Sequence, residues 1–163
     1  MKTPITVVRH PREKISKCSL RCLSGHPNFT FLKASDGFYF DATGFVLLEM
    51  GAPEISPADA GMPILLLDST WLLLGKVRAK IKGAPVPRSI SPNVKTAYPR
   101  VSKIASDPCG LATLEALYAA LRAVGDPSPE ILKGYVFAKK FLALNGWESD
   151  VPPDFFDGET QVF

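Results

Sequence analysis

The residues best suited to chemistry follow a short apolar segment near the middle of the chain. Residues 64–67 are aliphatic without interruption, and Asp68, Ser69, Thr70 and Trp71 come directly after them. Such a run is typical of a strand buried on both faces, and ligands of open α/β sheets bind at the carboxyl ends of such strands. Asp68 and Trp71 would suit a small polar ligand with an apolar body. The alternative is that Asp68 caps the next helix and Trp71 packs in the core.

Basic side chains are concentrated in two segments. No acidic residue lies between Asp68 and Asp107, whereas eight lysines and arginines do, and a second basic segment spans residues 9–21 with Glu13 as its one acidic residue. Basic clusters beside a pocket suit a polyanion such as RNA, because phosphate contacts supply much of the affinity. The alternative is a solvated basic surface. The candidate RNA-binding residues are Arg9, Arg12, Lys14, Lys17, Arg21, Arg78, Lys82, Arg88 and Arg100.

Length and composition are those of one globular domain. The chain has 163 residues, of which 46% are hydrophobic and 21% charged, so it is neither disordered nor fibrous. No apolar run approaches the ~20 residues of a membrane span, and residues 1–8 lack the apolar core of a secretion signal. Three cysteines do not suggest a disulfide framework. We therefore expect a cytoplasmic protein with no membrane partner. We also expect a monomer, an expectation that the composition does not itself supply.

Familiar metal and cofactor motifs are missing from the sequence. Cys18, Cys22 and His26 lie four residues apart, whereas structural zinc sites more often have paired Cys-x-x-Cys knuckles, so we expect no bound metal. No GxGxxG, P-loop or GxSxG pattern is present. Dinucleotide, nucleoside triphosphate and serine-hydrolase chemistry therefore lack support.

Strands and helices are predicted in the order of an α/β fold. The predicted strands are 5–8, 45–49 and 64–67, and Asp36-Gly37 predicts a hairpin between the aromatic segments 29–32 and 37–40. Ser56 is expected to cap a helical turn that begins at Pro57. The predicted helices are 71–82, ended by Gly83; 113–124, ended by Gly125; and 129–144, ended at Asn145-Gly146.

Six short motifs occur in the order typical of a known family. They are Lys17-Cys18-Ser19, Ile55-Ser56-Pro57-Ala58-Asp59, Leu67-Asp68-Ser69-Thr70-Trp71, Arg88-Ser89-Ile90, Leu111-Ala112-Thr113-Leu114-Glu115-Ala116-Leu117 and Phe141-Leu142-Ala143-Leu144-Asn145. In this order the chain resembles the small-subunit rRNA aminocarboxypropyltransferases of ribosome biogenesis. It is similar, more distantly, to the DTW-domain enzymes that modify tRNA uridines. The chain departs from the family pattern at Ser69-Thr70 and over residues 96–100.

The resemblance implies an α/β, SPOUT-like fold with a C-terminal trefoil knot. It divides the chain into an N-terminal α/β portion, 1–60, a cofactor-binding portion, 61–147, and an acidic tail, 148–163. It also implies S-adenosylmethionine as substrate and structured RNA, such as rRNA or a pre-ribosome, as partner. A uridine-type nitrogen would attack the methionine γ-carbon, taking the 3-amino-3-carboxypropyl group and releasing 5′-methylthioadenosine.

The same resemblance implies the site residues. Asp68 would be the catalytic carboxylate, Trp71 would help to bury the methyl group, and Glu115 would be a second carboxylate of open role, since it lies in the first turn of a helix. The expected cofactor-binding residues are Ser19, Leu67, Asp68, Trp71, Pro92, Asn93, Val94, Cys109, Leu111 and Thr113. Two alternatives remain: a non-catalytic RNA-binding assembly factor, and a SPOUT-type RNA methyltransferase.

Overall fold

The main sheet of the protein is entirely parallel. In the computed structural model, which describes residues 1–99 and 110–157, seven strands occur: β1 (Ile5–Arg9), β2 (Phe29–Lys33), β3 (Phe40–Asp41), β4 (Val46–Leu48), β5 (Ile64–Asp68), β6 (Ile81–Lys82) and β7 (Val86–Arg88). Five of them form one sheet in the order β2-β1-β5-β4-β7. The predicted α/β class is therefore confirmed.

In the part of the chain that the structure describes, three α-helices accompany this sheet. They are α1 (Trp71–Arg78), α2 (Thr113–Ala123) and α3 (Ala138–Asn145), and single 3-10 turns occupy Ile15–Lys17, Arg21–Leu23, Pro57–Asp59, Pro129–Leu132 and Glu148–Asp150. The turn at Pro57–Asp59 is capped by Ser56 as predicted. No helix in the described part of the chain is long and apolar enough to cross a bilayer.

The central strand β5 is buried on both faces, which explains its aliphatic sequence. In β5, Ile64 and Leu66 belong to the larger core together with α2 and α3, whereas Leu65 packs with Val77 of α1 in a smaller core on the other side. Successive side chains of a strand point to opposite faces, so a strand between two apolar layers needs aliphatic residues at every position. The interpretation of residues 64–67 as a strand buried on both faces is confirmed.

The predicted hairpin at Asp36-Gly37 is wrong. A turn does occur there, with Gly37 at a φ of 77°, but the flanking strands belong to different sheets. β2 pairs with β1, and β3 pairs in parallel with β6 in a separate two-stranded sheet. The dipeptide specified the local turn, whereas long-range pairing decided the partners of the strands.

The predicted helix over 71–82 is too long. α1 ends at Arg78, and its last predicted residues form β6 instead. The Phe40 N–H donates to the Lys80 carbonyl and the Ala42 N–H to the Lys82 carbonyl. Ile81 is buried in the smaller core. Pairing with β3 therefore replaces the hydrogen bonds that a longer helix would have made.

The predicted helix over 129–144 is interrupted. A 3-10 turn covers Pro129–Leu132, and α3 begins only at Ala138. Gly134 between them has a φ of 75°, a left-handed conformation that a right-handed helix cannot include. The apolar residues Ile131, Leu132, Phe141 and Leu142 are nevertheless buried, and Tyr135 is partly buried.

Candidate functional site

A cavity opens at the carboxyl ends of three neighbouring strands. Its volume of about 470 Å³ lies within the roughly 300–1,000 Å³ of small-molecule sites. The walls come from the segments that follow β4, β5 and β7, from α1 and from the first turns of α2. The lining residues are Leu48, Glu49, Met50, Gly51, Leu66, Leu67, Ser69, Trp71, Leu74, Ser89, Ile90, Ser91, Pro92, Val94, Gly110, Leu111, Thr113 and Ala116.

Six of the expected cofactor-binding residues line this cavity: Leu67, Trp71, Pro92, Val94, Leu111 and Thr113. Asn93 lies between two lining residues without being one. Cys109 lies outside the described residues. The segment 48–51 was missed by the sequence reasoning because β4 is the neighbour of β5 in space, and strand order is not visible in the sequence. The apolar run over 45–48 was the signal that a buried strand ends there.

Trp71 and Asp68 do not adopt the alternative roles of core residue and helix cap. Trp71 is the first residue of α1, lines the cavity and keeps 54% of its surface exposed. Thr70 is at the N-cap position of α1, which has no side-chain cap. Both alternatives are therefore wrong.

The Asp68 carboxylate joins three other elements beside the cavity. Its Oδ2 accepts a hydrogen bond from Arg9 Nε at 2.6 Å and one from Cys18 Sγ at 3.0 Å. Its Oδ1 accepts from Thr113 Oγ1 at 3.5 Å, at the start of α2. Asp68 itself is only 7% exposed. Among the described residues, Oδ2 therefore has two short contacts, whereas Oδ1 has a single long one.

Arg9 and Cys18 complete this cluster, and both have shifted pKa values. Burial opposes the charge of Arg9, but its hydrogen bond to Asp68 and the neighbouring groups raise the pKa of its guanidinium. Burial and then the Asp68 charge raise the pKa of the Cys18 thiol to about 12. Arg9 Nη2 also donates to Cys18 Sγ at 3.1 Å. Cys18 is therefore a protonated hydrogen-bond donor at neutral pH, and not a nucleophilic thiolate.

Ser19, one of the expected cofactor-binding residues, contacts the N-terminus of α2. Its Oγ accepts a hydrogen bond from the Leu114 N–H at 3.2 Å. The site therefore brings Ser19 and Thr113 together at a helix end whose dipole favours anions. That Ser19 and Thr113 bind the cofactor stays a prediction.

Glu115 anchors a loop and does not face the cavity. The side chain is fully buried. Oε1 accepts from the Ala97 N–H at 2.9 Å and the Tyr135 hydroxyl at 3.1 Å. Oε2 accepts from Thr96 Oγ1 at 2.6 Å and the Ala112 N–H at 3.0 Å. These four hydrogen bonds account for the buried carboxylate, so no ligand is needed to explain it.

The predicted RNA-binding residues differ in exposure and in pairing. Arg12, Lys14 and Lys82 are exposed. Arg9 is paired with Asp68, Arg78 with Glu49 and Arg88 with Asp59, so part of their charge is neutralised within the protein. Arg21 is partly buried and donates to the Ser16 carbonyl. Arg100 and the side chain of Lys17 lie outside the described residues.

Comparison with known proteins identifies a shared fold. No protein-family profile matches the chain, and no curated protein matches it either. Among solved structures, the SAM-dependent rRNA:acp-transferase Tsr3 from Vulcanisaeta distributa is similar, with a TM-score of 0.69 and 22% sequence identity. The match covers 90% of this chain and 80% of that one. At this identity the likeness establishes the fold.

Proposed function

We propose that the chain is an RNA aminocarboxypropyltransferase that uses S-adenosylmethionine as its substrate. The observation that carries this proposal is the arrangement of Asp68 and Trp71 beside the cavity, in a fold shared with the transferase Tsr3. The expected acceptor is a uridine-type nitrogen of rRNA. The finer points of the proposal are a SPOUT-like topology with a C-terminal trefoil knot, the three-part division of the chain, and a cytoplasmic monomer acting in ribosome biogenesis.

The cavity is lined by both apolar and polar groups, as such a donor requires. Aliphatic side chains and an exposed indole suit the adenine and the methyl group, whereas Glu49 and the start of α2 supply polar and dipolar groups. The sulfonium activates three carbons, so the protein selects the reacting one by position. Burying the methyl group against Trp71 would leave the γ-carbon open to the acceptor.

Atoms and charge balance in the transfer step. The base nitrogen forms a bond to the γ-carbon, the bond from that carbon to sulfur breaks, and its electrons neutralise the sulfonium to give 5′-methylthioadenosine. The acceptor loses its N–H proton. Asp68 Oδ1, which is less occupied than Oδ2, is the atom that we propose orients or accepts this proton.

Titration calorimetry tests the proposal directly. We expect S-adenosylmethionine and 5′-methylthioadenosine to bind, and incubation with unmodified rRNA to release 5′-methylthioadenosine. Release of S-adenosylhomocysteine would instead identify a methyltransferase. If no nucleoside binds while rRNA does, the enzyme proposal is wrong and the protein is an RNA-binding assembly factor.

A further inference from the structure

Glu49 is the one charged residue among the described residues that line the cavity. It follows β4, and the sheet order places β4 between β5 and β7. The segment after β4, with Glu49, therefore lies between the part of the cavity lined by Ser69 and Trp71 and the part lined by residues 89–92 and Val94. A nucleoside ligand that spans both parts has its sugar in the middle.

An ion pair holds the Glu49 carboxylate from one side. Arg78, at the end of α1, donates from Nε to Oε1 at 3.0 Å. Within residues 1–99 and 110–157, Oε2 has no hydrogen-bond partner. The two side chains are 37% and 39% exposed, so ligand can reach the carboxylate. α1 lines the cavity through Trp71 and Leu74, and its last residue, Arg78, acts on the cavity only through its contact with Glu49.

We infer that Glu49 binds the ribose 2′- and 3′-hydroxyl groups of the donor nucleoside and that Arg78 is its positioning residue. The inference rests on the proposed function, because it assumes a nucleoside donor. A carboxylate accepts two hydrogen bonds from neighbouring hydroxyls, and an acidic residue beside a parallel strand recognises ribose in other open α/β sheets by the same chemistry. The Arg78 N–H occupies one lone pair and leaves the others for the diol.

The competing role for Glu49 is attraction of the positive sulfonium. The two roles separate with 5′-methylthioadenosine, which carries a thioether and has no sulfonium. If Glu49 attracts the sulfonium, its loss should weaken the binding of S-adenosylmethionine and leave that of 5′-methylthioadenosine unchanged. If Glu49 binds the diol, its loss should weaken the binding of both nucleosides equally. It should also remove the preference for ribose over deoxyribose.

The test measures dissociation constants of 5′-methylthioadenosine and its 2′-deoxy analogue by calorimetry. The wild type should bind the ribonucleoside about 10- to 100-fold more tightly, the range expected for a hydrogen bond to a charged group. Glu49→Ala should bring the two constants within about threefold. Glu54→Gln, which removes an exposed charge outside the cavity, should keep the wild-type preference. Thermal unfolding establishes that each variant is folded.

Arg78 is tested by the same ratio. Arg78→Ala should reduce the preference for the ribonucleoside, and Arg78→Lys should restore part of it, because either cation can hold Oε1. A purely structural role would lower stability without changing the ratio.

The outcomes separate this inference from the proposed function. If the wild type binds 5′-methylthioadenosine but does not discriminate against the deoxy analogue, or if Glu49→Ala retains the discrimination, the inference is overturned and the proposed function stands. If the wild type binds neither S-adenosylmethionine nor 5′-methylthioadenosine, both are overturned.

Discussion

Ser19 and Leu114 are 95 positions apart in the chain, yet the Ser19 hydroxyl accepts the hydrogen bond of the Leu114 N–H at 3.2 Å. The N-cap position of α2 is Ala112, whose side chain cannot accept a hydrogen bond. A residue of the N-terminal loop thus supplies the cap that the helix lacks. The same contact fixes the loop beside the cavity.

Removing this cap should lower stability. We expect Ser19→Ala to reduce the free energy of unfolding by about 1 kcal/mol, the usual cost of losing an N-cap. Adding Ala112→Ser to that variant should restore most of the loss, since a serine there can cap α2 locally. Urea denaturation measures both effects. An unchanged midpoint in Ser19→Ala would show that the contact contributes little.

Glu115→Gln should destabilise the protein more than most conservative changes. Each carboxylate oxygen accepts a backbone N–H, from Ala97 on one side and Ala112 on the other. In either orientation of the amide, its NH₂ group would face a backbone donor. We expect a loss of about 2–3 kcal/mol for a buried group left without its partner. Urea denaturation measures the loss, and a change below about 0.5 kcal/mol, the size of a surface substitution, would contradict this account.

Cys18 should make stability fall at alkaline pH. Its folded pKa of about 12 lies above its usual value near 9, so the unfolded chain releases this proton first. The free energy of unfolding should therefore decrease as pH rises above about 9. Cys18→Ser keeps the hydrogen-bond donor without a comparable titration. The free energy of unfolding is measured between pH 7 and 10, and the difference between wild type and variant isolates the contribution of the thiol. If the two curves run parallel over this range, the account is wrong.

The same thiol should resist alkylation. In a Cys109→Ser background, iodoacetamide at pH 8 should label the exposed Cys22 far faster than Cys18. Peptide mass spectrometry quantifies the two rates. Equal labelling of both residues would mean that Cys18 is accessible and its thiolate populated.

Trp71 and Asp68 should separate binding from turnover. Trp71→Ala should weaken S-adenosylmethionine at least tenfold with little loss of stability, because half of the indole is already exposed. Asp68→Asn should lower the rate of 5′-methylthioadenosine release about 100-fold, within the range of acid–base contributions, and bind the donor within threefold of wild type. Because Asp68 also neutralises Arg9, the thermal stability of the Asp68→Asn variant should fall too. Small effects of both substitutions would refute the site assignment.

The parts of the fold that depend on local patterns were predictable. The aliphatic run of β5, the amphipathic α2 and the capped turn at Ser56 follow from side-chain periodicity and capping, which act over a few residues. The interruption at Gly134 was missed because the sequence does not show that this glycine has a positive φ.

The parts that depend on long-range pairing were not predictable. β6 is a strand because β3, some 40 positions earlier, pairs with it, and this pairing outweighs the helical preference of its residues. Glu49 was not singled out because its position in the site depends on the sheet order, in which β4 follows β5 in space and precedes it in sequence. Arg9 was predicted to be an RNA-binding residue because its ion pair with Asp68, 59 positions away, is not visible in the sequence.

The pairing of β1 has a consequence for synthesis of the chain. Ile5 lies opposite Phe29 on one side and Ile64 on the other. While the ribosome is still translating the segment between them, β1 has an apolar surface and one unpaired edge, which is a template for association with other chains. A nascent chain that stalls before β5 should therefore aggregate or bind chaperones, whereas release after β5 allows the central strands to close.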